Sequence, residues 1–254
     1  MHISDILQRL LDAGLTANVS KCQFCLPRME VLGHILANGK IEPSDDKLKA
    51  IQAIQPASTK RQVRCLLGLI GYYRQLVPQF AELTYCLTDL LRKEKPHKVK
   101  RESKHQQALD KIKHILTSKP VLVPADSDKH YVLQADASLY ALGSVLSQVD
   151  DNGREHVVTY ASRKLLPREI NYSTIEKELL AILWSLQHWE HFIYGRHVTV
   201  YSDHRPLQWL RTMANQNSRL QRWSLMLEKY DIETVYKRGV ENTNCDALSR
   251  LDVE

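Results

Sequence analysis

The sequence predicts an α/β fold, in which a mainly helical segment precedes a mixed, five-stranded sheet with flanking helices. After residue 130, strand-like runs rich in β-branched and aromatic residues alternate with helical segments, an order typical of helices packed on a mixed sheet. Before residue 119, apolar residues recur mostly at helical spacing. The predicted strands of the sheet are residues 130–134, 143–149, 156–161, 197–202 and 231–236.

The front of the chain is predicted to form helices and one hairpin. We expect an amphipathic helix at residues 3–13, a short strand at 19–24 and a β-hairpin at 31–41. The Asn38-Gly39 pair indicates the hairpin, because these residues accept the positive φ angles of a two-residue turn. The next two helices, at residues 44–54 and 58–78, begin at N-caps (Ser44, then Ser58 or Thr59) and end near prolines. Two more helices are predicted at residues 82–92 and 106–116.

A central helix is predicted at residues 173–194. Ser173 and Glu176 fit a capping box, in which each side chain binds the other residue's main-chain amide. Glu178 lies at the edge of an apolar stripe, where a carboxylate leans toward the core and is costly unless a positive charge meets it. Taken alone, Glu178 is better explained as a solvated residue at the helix margin. The stripe consists of Ile175, Leu179, Ile182, Leu183 and Leu186.

Three aspartates stand at comparable positions. Asp136 and Asp203 follow strand-like segments, and ligand sites in open α/β sheets form at the carboxyl ends of strands. Asp246 lies in the first turn of a short predicted helix, residues 243–250, where the helix dipole favours an acid. Each acid also suits an ordinary cap or strand end. Together with Glu178 they predict one metal site, because Mg²⁺ prefers oxygen ligands and paired ions about 3.5–4 Å apart support phosphodiester cleavage.

Long motifs surround these four acids: QADAS (134–138), NYSTIEKELLAI (171–182), YSDHRPLQWL (201–210) and ENTNCDALSR (241–250). Three more lie upstream: GLTANVSKCQF (14–24), VLGHILANGKIEP (31–43) and LLGLIGYYRQLVPQFAELTYCLTDLL (66–91). Over nearly the whole chain, these motifs resemble the end of the reverse transcriptase of gypsy-type LTR retrotransposons. The upstream motifs resemble its palm end and thumb, and the others its ribonuclease H domain.

The resemblance implies a ribonuclease H fold and metal-dependent endonucleolytic hydrolysis of the RNA strand of RNA/DNA hybrids. It implies two ions, Mg²⁺ or Mn²⁺. Glu176 is the competing glutamate, but the matching segment KELLAI contains Glu178. Cellular and retroviral ribonucleases H carry a histidine where this chain has Tyr236, so product release or water activation lacks an imidazole. The implied catalytic and metal-binding acids are Asp136, Glu178, Asp203 and Asp246.

The charge is distributed unevenly along the chain. The formal charge is +6, but residues 1–119 carry +9 and residues 120–254 carry −3. A basic front joined to a mildly acidic back suits a nucleic-acid clamp beside a metal-binding nuclease, although a basic solvated surface gives the same count. The candidate phosphate contacts are Lys60, Arg61, Arg64 and Arg74.

Composition and resemblance together predict three parts. Residues 1–43 resemble a palm remnant with a primer-grip-like hairpin, residues 44–119 the thumb or connection, and residues 120–254 the ribonuclease H domain. The polymerase aspartates of such enzymes lie upstream of residue 3, so we expect no polymerase activity from this chain alone. The expected partners are an RNA/DNA hybrid and the rest of the Pol polyprotein, with the oligomeric state left open.

Five scattered cysteines and the lack of a secretory signal indicate a reducing compartment. No apolar run reaches membrane-spanning length, so we expect no membrane partner. The predicted location is the cytoplasm, in a virus-like particle, with the nucleus as the alternative to it; secretion is not expected.

A non-catalytic, nucleic-acid-binding retroelement fragment is the alternative function. We reject an intact reverse transcriptase, because its polymerase motif is expected upstream of residue 3. An integrase-type nuclease is also rejected, because it fits the KELLAI and NTNCDALSR motifs poorly.

Overall fold

The computed structural model describes residues 3–100, 102–118, 121–202 and 218–236. The helices within these ranges are Ile3–Asp12 (α1), Asp45–Gln52 (α2), Lys60–Gly71 (α3), Phe80–Leu83 (α4), Tyr85–Asp89 (α5), Ser103–Thr117 (α6), Pro167–Ile170 (α7), Thr174–His188 (α8), Glu190–Ile193 (α9) and Ser218–Leu227 (α10). The strands are Arg28–Val31 (β1), His34–Ala37 (β2), Lys40–Pro43 (β3), Tyr131–Ala137 (β4), Ala141–Val149 (β5), Glu155–Lys164 (β6), Val198–Ser202 (β7) and Ile232–Tyr236 (β8). No helix of the described part combines the length and apolar character needed to cross a membrane.

The larger sheet has the strand order β6-β5-β4-β7-β8. Strands β4, β5 and β6 pair antiparallel, whereas β7 pairs parallel to both β4 and β8. The β5–β6 turn is fixed by Asp150, whose carboxylate accepts the amides of Asn152 and Arg154, and by Gly153 at φ 77°. The predicted mixed, five-stranded sheet is therefore confirmed.

Helix α8 covers one face of this sheet. Its residues Leu179, Ile182 and Leu186 are fully buried and share one core with Leu133 of β4 and Leu142 of β5. The apolar stripe predicted for the central helix is thus confirmed as its core-facing side. Burial of each such side chain contributes roughly 1.5–3 kcal/mol.

The front segment, meaning the described residues before 119, packs on the other face of the larger sheet, over β5 and β6. It has its own core around α3 and α6, which Val157 and Tyr160 of β6 join. A single β-bridge also pairs Ile41 with Leu122, next to the start of the second half. Residues 144–148 of β5 are buried without alternation because elements cover both of its faces.

Two predictions about the front need correction. Residues 19–24 contain a short 3₁₀-helix, Val19–Lys21, instead of a strand. The predicted hairpin is confirmed, with Asn38 and Gly39 at φ 50° and 67°, but it belongs to a three-stranded sheet. The additional strand, β1, joins β2 through a turn at residues 32–33, which also has positive φ angles.

Three predicted helices are shorter than expected. The helix predicted at 58–78 begins with a Thr59 capping box but ends at Gly71, and a 3₁₀-helix follows at Arg74–Leu76. The helix predicted at 82–92 is replaced by α4 and α5. The central helix stops at His188, since Trp189 leaves helical geometry before α9. The helix predicted at 243–250 lies outside the described residues.

Candidate active site

Asp136 lies near the carboxyl end of β4 and is partly buried. Because β4 and β7 run parallel, with Gln134 opposite Tyr201, their carboxyl ends meet at the same edge of the sheet. Strand β7 ends at Ser202. Asp203 and Asp246, two of the four predicted acids, lie outside the described residues.

Glu178 approaches from α8, which packs along β4. The predicted capping box at the start of this helix is confirmed: Ser173 Oγ accepts the amide of Glu176, and Glu176 Oε2 accepts the amide of Ser173 at 2.9 Å. Glu178 follows in the second turn and is only 5% exposed. The sequence thus places a carboxylate in the core side of a helix that faces the strand carrying Asp136.

The carboxylate of Glu176, the competing glutamate, already accepts hydrogen bonds at the start of the helix. Its Oε1 accepts a hydrogen bond from the Arg219 guanidinium at 2.8 Å. Burial opposes its ionisation, but the hydrogen bonds from Ser173 and the charge of Arg219 outweigh burial and lower its pKa. This glutamate therefore serves the cap and an ion pair that links α8 to α10.

The structure adds a neighbour that the sequence did not indicate. Gln79, just before α4, donates from Nε2 to Asp136 Oδ2 at 3.3 Å. A cleft beside this contact is lined by Glu82 of α4, by residues 137–140 and by Thr174 and Lys177 of α8. No local sequence pattern predicts such a contact, because its two partners are 57 residues apart.

The donor set suits a hard divalent cation. Asp136 and Glu178 offer carboxylate oxygens, which Mg²⁺ and Mn²⁺ accept as ligands, often with waters retained. Within the described ranges no group of three or more His, Cys, Asp or Glu side chains is placed to hold a metal. The two acids that would complete the predicted set lie beyond those ranges.

The predicted phosphate contacts divide into two groups. Lys60 is 8% exposed, and its Nζ donates to the main-chain oxygen of Arg92 at 2.5 Å, so it fastens α3 internally and is poorly placed to meet phosphate. Arg61, Arg64 and Arg74 are exposed. Tyr236 ends β8 and is 51% exposed.

Residues 126–230 match the family described as the RNase H-like domain found in reverse transcriptase. The chain is 37% identical over 249 residues to the retrovirus-related Pol polyprotein from transposon 297 of Drosophila melanogaster, covering 98% of this chain and 23% of that protein. It is 36% identical over 255 residues to the transposon Tf2-3 polyprotein of Schizosaccharomyces pombe, covering 98% and 19%. The chain thus spans about a quarter or less of the length of these relatives.

Among solved structures, the chain is similar to the foamy viral protease-reverse transcriptase in complex with RNA/DNA hybrid, at a TM-score of 0.75 and 22% identity, covering 93% of this chain and 33% of that one. The same enzyme in complex with dsDNA gives 0.74 and 22%, covering 93% and 50%. This likeness confirms the fold that the resemblance implied. The homologues of this chain are retrotransposon Pol polyproteins, and its second half carries the RNase H-like domain found in reverse transcriptases.

Proposed function

We propose that this chain is a metal-dependent endonuclease that hydrolyses the RNA strand of RNA/DNA hybrids, as part of a gypsy-type retrotransposon reverse transcriptase. One observation carries the proposal: α8, which buries Glu178, packs along β4, which ends beside Asp136. Carboxylates on two packed elements, one of them buried, are stabilised when a cation binds between them. The likeness to a reverse transcriptase in complex with RNA/DNA hybrid supports the substrate class.

Each acid has a proposed role. Asp136, Asp203 and Asp246 would hold the two ions, and Glu178 would help to hold one of them or orient a water molecule. Bound Mg²⁺ or Mn²⁺ would supply an activated water and stabilise the leaving oxygen. The chain itself supplies the rigid placement: Asp136 is fixed by the β4–β5 ladder, and Glu178 by a capped, buried helix.

Binding of the hybrid is assigned to the basic front. A negatively charged site repels a phosphate backbone, so affinity has to come from elsewhere on the chain. Arg61, Arg64 and Arg74 are exposed and remain the proposed phosphate contacts, whereas the buried Lys60 is withdrawn from that role. We also keep as proposals the three predicted parts, membership of a longer Pol polyprotein, and a cytoplasmic particle or the nucleus as location.

The test is cleavage of a hybrid labelled on its RNA strand by the full chain. We expect cleavage with Mg²⁺ or Mn²⁺, none with excess chelator, and a rate lowered by at least about 100-fold in Asp136→Asn. The control is Asp151→Asn, which changes an exposed aspartate in the β5–β6 turn and should leave the rate unchanged. Tight binding without cleavage, in wild type, would instead support the non-catalytic, nucleic-acid-binding alternative.

A further inference from the structure

Gln79 reaches the candidate metal ligand from a distant part of the chain. Its Nε2 donates to Asp136 Oδ2 at 3.3 Å across a sequence separation of 57 residues. Gln79 belongs to the front segment, whereas Asp136 belongs to the sheet. A feature of the front segment therefore touches a residue that the proposed reaction requires.

Three residues in register across the sheet make this approach possible. Asp136 of β4 lies opposite Gly143 of β5, and Gly143 lies opposite Ser162 of β6. The front segment lies across this row, since Gln79 contacts Asp136 at one end and the Ala81 amide donates to Ser162 Oγ at 2.8 Å at the other. Gln79 packs directly over Gly143, since a Cβ at that position would lie 3.4 Å from Gln79 Cγ, in van der Waals contact.

The backbone of Gln79 is held in an unusual conformation. Its φ of 48° and ψ of 33° lie in the left-handed region, which residues other than glycine rarely adopt. Such strain persists only where the surroundings enforce it, and it concentrates at functional sites. Here the surroundings are the buried Val77 and Pro78 before it and the start of α4 after it, where its carbonyl oxygen accepts the Glu82 and Leu83 amides.

We propose that Gln79 is a positioning residue for Asp136, holding its carboxylate in the orientation that binds a divalent cation. This rests on the proposed function. Each carboxylate oxygen has two lone pairs, so Oδ2 accepts the Gln79 amide while the Asp136 carboxylate still ligates a cation. Hydrogen-bond partners behind a metal ligand fix its orientation, and their loss lowers metal affinity by about 10–100-fold.

The experiment measures Mn²⁺ binding to the full chain, from the paramagnetic resonance signal of free Mn²⁺, together with the urea midpoint of unfolding. Gln79→Leu removes the amide donor at similar volume, and we expect its Mn²⁺ dissociation constant to rise about tenfold or more. The matched control is Gln106→Leu, which removes a bond of the same kind, from Nε2 to Asp110 Oδ1 at 2.9 Å, on α6. That variant should bind Mn²⁺ like wild type.

If Gln79→Leu lowers the urea midpoint, Gln79→Asn replaces it, because asparagine tolerates the left-handed backbone and its shorter side chain does not reach Asp136. The same loss of affinity is expected there, at an unchanged midpoint. Unchanged affinity in the variant with the native midpoint would overturn the proposal, and so would tighter binding, which would mean that Gln79 competes with the cation. Wild-type chain that neither binds Mn²⁺ nor cleaves a hybrid would refute the proposed function itself.

Discussion

The ion pair between Arg163 of β6 and Glu169 of α7 anchors the segment that leads into α8. Nη1 of Arg163 lies 2.6 Å from Oε2 and Nη2 lies 3.2 Å from Oε1, and the Leu166 amide also donates to Oε2 at 2.8 Å. The Glu169 side chain is 6% exposed and that of Arg163 is 27% exposed. Since Glu178 lies on the helix that follows, this pair helps to fix one of the two described acids of the site.

Replacing Arg163 with Met leaves a buried carboxylate whose remaining described donor is the Leu166 amide. Removing one partner of a buried pair costs about 3–5 kcal/mol, and the partial exposure of Arg163 puts the expected loss at the lower end, about 3 kcal/mol. With a urea dependence of about 2–3 kcal/mol per molar, the midpoint should fall by about 1–1.5 M. The control is Arg168→Met, an exposed arginine on the same short helix, which should change stability by about 0.5 kcal/mol or less.

The pH dependence of this loss gives a sharper test. Burial alone would raise the pKa of Glu169, but the Arg163 guanidinium and the Leu166 amide outweigh burial and hold that pKa below its usual value. A carboxyl group whose pKa is lowered by folding contributes stability above its unfolded pKa and loses it as pH falls through its folded pKa. The difference between wild type and Arg163→Met should be complete at neutral pH and shrink in acid, as the Glu169 carboxyl group becomes protonated. Equal midpoints at neutral pH, or a difference that stays constant in acid, would refute this reasoning.

Three further predictions concern cleavage, hybrid binding and primer extension. Asp203→Asn should lower the rate of hybrid cleavage by at least about 100-fold without moving the urea midpoint, and full activity would remove Asp203 from the site. Combined Arg61→Glu and Arg64→Glu should flatten the salt dependence of hybrid binding, measured by fluorescence anisotropy, by up to about 0.9 in log–log slope per lost phosphate contact; an unchanged slope would mean a solvated surface. The purified chain should not extend a primer on an RNA template, and extension that depends on deoxynucleotides would contradict this.

The parts predicted well from sequence are those fixed by local chemistry. The N-cap at Thr59, the capping box at Ser173 and the Asn38-Gly39 turn each depend on residues within a few positions of one another. The strands of the larger sheet follow from β-branched and aromatic runs, because those residues pack well on a pleated surface. Helix ends such as His188 were less accurate, since Trp189 turns inward and its Nε1 donates to Ser144 Oγ, a contact decided by tertiary packing.

The candidate site was predicted only in part, for a related reason. Acids at strand ends can be read from the sequence, and so can a glutamate at the edge of an apolar stripe. The residues that surround these acids cannot be read from the sequence. Gln79 reaches Asp136 through a left-handed backbone conformation, which no residue pattern near Pro78 predicts. Glu176, the competing glutamate, is the opposite case. A tertiary contact, the hydrogen bond from Arg219 43 residues away, occupies its carboxylate.

The contacts between the front segment and the sheet bear on how the two halves work together. Composition places a boundary at residue 119, and that boundary remains a prediction, yet Lys164 of β6 donates to Thr88 Oγ1 and lies 4.5 Å from the ring of Tyr85. Burial in this contact lowers the pKa of Lys164, as expected for an ammonium group removed from water. Tyr85 also stacks on Tyr140, in the turn that follows Asp136. The segment that carries Gln79 is therefore held to the sheet at Asp136, Ser162 and Lys164 and at Tyr140 in the adjoining turn, so direct contacts around the candidate ligand join the two parts that composition separates.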